Sequence, residues 1–92
     1  MTLLTIALAA TLTQLSSAEL EALKRTVSVE AANVEKNAED TDALYRLGLA
    51  YLTLGDAKRA VKPLEALVQK DADSLDGKLL LARAYRVSGE VE

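Results

Sequence analysis

An all-α fold of antiparallel helix-turn-helix repeats is what this chain predicts, and three observations predict it. A block of residues returns after thirty-four places: Leu47 as Leu81, Ala50 as Ala84, Tyr51 as Tyr85 and Gly55 as Gly89. In the same register Gly48 becomes Ala82, the next smallest residue, and Asp56 keeps its charge as Glu90. A fixed period of this size marks stacked repeats, and a helical pair fills it. Composition agrees: one proline and four glycines in 92 residues leave little turn chemistry for a strand-rich protein. Helix punctuation is the third observation, because Gly55-Asp56 sets a stop signal directly against a start signal.

Two parts are expected, residues 1–17 as an apolar N-terminal helix or targeting segment and 18–92 as the helical repeat domain, with about five helices in all. Residues 1–18 carry no charge. Leu4, Leu8, Leu12 and Leu15 fall on one helical face, which favours a packed amphipathic helix. The competing reading is an export signal ending at Ser16-Ser17-Ala18, weakened by the lack of any Lys or Arg before the apolar run. The stretch is too short and too polar to span a bilayer.

Ser16 and Glu19 have capping-box spacing and open a helix over 18–34, with Leu20, Leu23, Val27, Ala31 and Val34 at helical period. The β-branched Thr26, Val27 and Val29 predict a weakened middle. Polar residues 37–40 form the connection, with Asp40 or Thr41 as cap of a helix over 42–54. Gly55 ends that helix in a left-handed conformation and Asp56 caps the next, which runs to Gln69. So short a joint makes the two helices antiparallel neighbours. Pro63 lies inside the second of them, where it removes an amide and bends the helix. A last helix starts at Leu75 after Ser74 and ends at Gly89.

The spacing Leu44, Leu47, Gly48, Tyr51, Gly55, Ala60, Leu64, Leu67 resembles the tetratricopeptide repeat, best over 41–74 with a partial second copy over 75–92. Leu44 stands where that family has Trp, Leu67 where it has Ala, and Ala72 where it has a closing Pro. The resemblance implies that Gly48, Ala60 and Ala82 sit where helices nearly touch, with Tyr51 and Tyr85 filling the space beside them. It also implies structural roles for Leu44, Leu47, Gly55, Leu64, Leu81 and Gly89. The first helix of each pair would line a concave groove for a peptide or helix, through Tyr45, Arg46, Leu49 and Leu52 and then Leu79, Arg83 and Arg86. Guanidinium groups there would suit a carboxylate on the partner. Family members that clamp a terminal carboxylate use a Lys–Asn pair. Tyr45 and Leu49 stand in those places, so that clamp is not expected.

Composition narrows the function further. No His and no Cys means no imidazole base and no thiolate, and no catalytic constellation, cofactor motif or metal site is expected. Asp71–Gly77 begins like a calcium loop, but Leu75, Asp76 and Ala82 occupy places where such a loop needs a ligand, Gly and Glu. Net charge is −3 without a basic stripe, so nucleic acid is not an expected partner. The expectation is a non-enzymatic protein–protein interaction module, a scaffold or adaptor. The alternative is a self-associating unit that builds a homo-oligomer through the apolar side of the last helix, Leu79, Leu80, Leu81, Ala82, Ala84, Tyr85 and Val87. A cytoplasmic setting is slightly favoured, with export or a periplasmic one following only if 1–18 is a signal.

Overall fold

The structure, a computed structural model, describes residues 15–89. Four α-helices make up this segment: α1 Ser17–Lys36, α2 Thr41–Thr53, α3 Ala57–Lys70 and α4 Leu75–Ser88. The expected N-terminal helix, including Leu4, Leu8 and Leu12, lies outside the described residues. Every helix start is set by a local side chain. Ser16 and Glu19 form both halves of a capping box on α1, with Glu19 N to Ser16 Oγ at 3.1 Å and Ser16 N to Glu19 Oε1 at 2.9 Å. Asp40, Asp56 and Ser74 accept from Ala43, Arg59 and Gly77 amides at the starts of α2, α3 and α4. The backbone bond to Ser16 is the main reason that the Glu19 carboxyl titrates below its ordinary range, followed by its bond to the Ser16 hydroxyl.

The middle of α1 does not fray. Thr26 donates to the Ala22 carbonyl at 3.0 Å, so its hydroxyl finds a partner without breaking the helix. Gly55 and Gly89 close α2 and α4 with φ of 84° and 82°, the left-handed region that costs glycine least. Pro63 is accommodated inside α3.

Consecutive helices pack in turn, α1 on α2, α2 on α3 and α3 on α4, and α4 also reaches α2. The core is aliphatic: Leu44, Leu47, Leu52, Val61, Leu64 and Leu67, with Ala43, Ala50, Ala57, Ala60 and Ala84 also buried. The tightest crossing lies between α2 and α3. A Cβ added at Gly48 would stand 2.5 Å from Leu64 Cγ and closer still to its Cδ2, so only hydrogen fits. Leu64 has no exposed surface. Lys70, in the last turn of α3, reaches back to Glu39 before α2 at 3.2 Å and ties the ends of the hairpin.

One expected close approach is absent. Ala82, the counterpart of Gly48, is exposed. Gly48 faces Leu64 on the helix that follows its own, whereas no helix follows α4 among the described residues. The small residues of α4 that are buried are Gly77 and Ala84, the latter without exposed surface.

Candidate functional site

The face expected to bind a partner runs along α2 and α4, the first helices of successive hairpins. Tyr45 is half-buried against the core, and its exposed neighbour Leu49 lies one turn on. On α4 the equivalent places are Leu79 and Arg83, with Leu75 and Val87 extending the stripe by four-residue steps. Leu79 and Val87 are each 60% exposed and Leu75 67%, an apolar display no other helix matches among the described residues.

Tyr45 also borders a hollow of about 240 Å³ with Thr41, Asp42, Asp71, Ser74 and Asp76. Three carboxylates therefore surround the end of the face where α2 and α4 begin. Arg83 and Arg86 lie further along α4, both exposed. The surface is thus charged oppositely at its two ends.

Of the expected site residues, Leu52 is buried and Arg46 is held in an ion pair. Leu52 retains 8% exposure and belongs to the core, because it follows Gly48 by one turn on the side of α2 that packs inward. Arg46 is engaged by Glu30 of α1, Nε to Oε2 at 2.7 Å and Nη2 to Oε1 at 3.5 Å. Glu30 is buried, and Asn33 Nδ2 donates to its Oε1 at 3.0 Å. The Arg46 hydrogen bonds, then that from Asn33, hold the Glu30 carboxyl below the ordinary carboxylate range. The same contact pushes the Arg46 guanidinium up. Glu30 was missed at the level of sequence, although a signal existed. It stands three residues after Val27 and four before Val34, a carboxylate set into an apolar stripe.

Leu80 is half-buried against the core, as are Leu81 and Tyr85, and the Tyr85 hydroxyl donates to Glu65 of α3. The exposed apolar side of α4 is therefore carried by Leu75, Leu79 and Val87 rather than by Leu80.

The caps, the glycine crossing and the short antiparallel joints together define a helical-hairpin module. Residues 42–74 match the sequence profile of the tetratricopeptide repeat family. The repeat spans α2, α3 and the loop to α4, the same stretch that holds the Gly48–Leu64 crossing. No curated protein and no solved structure matches the chain. The tetratricopeptide repeat is a protein–protein interaction module, and its repeats are typically non-catalytic. No helix among the described residues is long and apolar enough to cross a membrane.

Proposed function

We propose that the protein binds an extended or helical peptide of a partner protein along the α2–α4 face, and so acts as a scaffold or adaptor. The carrying observation is the pairing of exposed Leu79 and Leu49 with half-buried Tyr45 on neighbouring first helices. Apolar side chains left in water on a rigid helical layer gain most by covering, at roughly 25 cal/mol per Å² of apolar area removed from water. The charge arrangement selects the partner: apolar residues over Tyr45, Leu49 and Leu79, a cationic residue toward Asp42 and Asp76, an acidic one toward Arg83 and Arg86.

Peptide display against the full chain, followed by fluorescence anisotropy of selected peptides, tests this reading. Leu79→Glu and Tyr45→Ala should each weaken binding at least tenfold, while circular dichroism shows the helices intact. Selected peptides indifferent to both substitutions, or no selected peptide, would refute it.

A second reading is favoured by the exposure of Ala82 beside half-buried Leu81 and Tyr85. That side of α4 would pair with a second copy. Solution sizing across a concentration series separates the two, since assembly abolished by Ala82→Glu but not by Tyr45→Ala belongs to self-association alone.

A further inference from the structure

A second recess lies away from the α2–α4 face. Helices α1 and α3 both pack on α2 but make no close backbone contact with each other. Between them opens a cleft of about 370 Å³, with Leu20 and Val27 of α1, Tyr51 and Leu54 at the end of α2, and Arg59 of α3 in its lining. A hollow of about 560 Å³ shares Tyr51 and Arg59 with it and adds Leu47, Pro63, Lys58 and Lys62.

The charges around this recess are uneven. Lys24, Lys58, Arg59 and Lys62 line it, four of the eleven cationic side chains of a chain whose net charge is −3. Two carboxylates share the lining, which leaves the cations in excess. Asp56 caps α3 and holds Arg59 at 3.5 Å, and Glu65 accepts from the Tyr85 hydroxyl. Lys58 and Lys62 have no carboxylate partner among the described residues. Lys24 has only a loose, exposed contact with Glu21 at 3.8 Å, of a kind that contributes little.

We infer that the α1–α3 cleft is a second docking site, for an acidic segment of a partner protein that carries leucine-like side chains between its carboxylates. The apolar floor of Leu20, Val27, Tyr51 and Leu54 takes the apolar side chains. Lys24, Lys58 and Lys62 take the carboxylates, which raises the association rate and selects against basic partners. Residues 1–14 of the same chain are a poorer occupant on charge, because they carry no acid to meet the lysines. This inference is independent of the α2–α4 face and would survive its failure.

The test uses the full chain and a fluorescein-labelled 15-residue peptide alternating short Glu and Leu runs, read by anisotropy in about 50 mM salt. The expected result is saturable binding, weakened at least tenfold by Lys58→Glu/Lys62→Glu and by Val27→Glu, and left within twofold by Leu79→Glu. A peptide with every Glu replaced by Lys should bind at least tenfold more weakly. The inference is overturned by equal affinity for the two peptides, or by indifference to the lysine reversals. It is also overturned by absence of binding, including the case in which residues 1–14 fill the cleft, or by binding of a single-stranded oligonucleotide in place of the acidic peptide.

Discussion

Replacing Gly48 by alanine isolates the contact that holds the repeat together. The new Cβ would lie 2.5 Å from Leu64 Cγ, and Leu64, with no exposed surface, has no free direction in which to retreat. Forcing an extra methyl into a filled core costs about 1–3 kcal/mol. Alanine is the better helix former by about 1 kcal/mol, which offsets part of that cost. The net expectation is a loss of about 1 kcal/mol, or roughly 4–8 °C in melting temperature for a domain this small. Thermal and urea unfolding followed at 222 nm measure it. Leu64→Ala alone should cost about 2–5 kcal/mol through the cavity it leaves. In the double variant the two faults fill one another, so the losses should fall short of additivity by about 1–2 kcal/mol. A Gly48→Ala protein as stable as the parent, or strictly additive losses, would refute the crossing as the source of the hairpin's geometry.

Glu30→Gln should flatten the acid limb of the stability curve. The folded carboxyl titrates below the unfolded one, so its contribution is present above about pH 4.3 and is lost as pH falls through the lower folded value. Stability measured between pH 6 and pH 3 should fall less steeply in the variant, and an unchanged slope would count against the Glu30–Arg46 contact. Pro63→Ala restores an amide within α3 and should raise stability by about 1–3 kcal/mol. Chemical denaturation reads the gain, and a loss would mean that the proline ring packs favourably enough to outweigh its missing bond.

What could be read from residue order was the part of the fold written locally. Caps act over three residues, so Ser16–Glu19, Asp40, Asp56 and Ser74 placed the helix starts to within a residue, and Gly55 and Gly89 placed two of the ends. The crossing at Gly48 was legible because a thirty-four-residue period aligns it with known repeat architecture. The candidate surfaces were less legible. Leu52 and Leu49 are equally apolar neighbours on one helix, and only the packing of other helices against α2 buries the first and exposes the second. Arg46 looked available until Glu30, sixteen residues away, was found against it. The α1–α3 cleft depends on two helices failing to meet, and nothing in either helix alone records that.

Gly55 and Gly89 share nearly the same left-handed geometry, and after Gly55 the chain doubles back along the helix it has just left. The like φ at Gly89 leaves the same kind of bend open to a chain joined there. A copy of residues 57–70 joined beyond Gly89 would arrive alongside α4 and roof over Ala82, Leu81 and Tyr85, lengthening the stack by half a unit without redesign. A single left-handed glycine is the backbone feature that such growth by duplication would use.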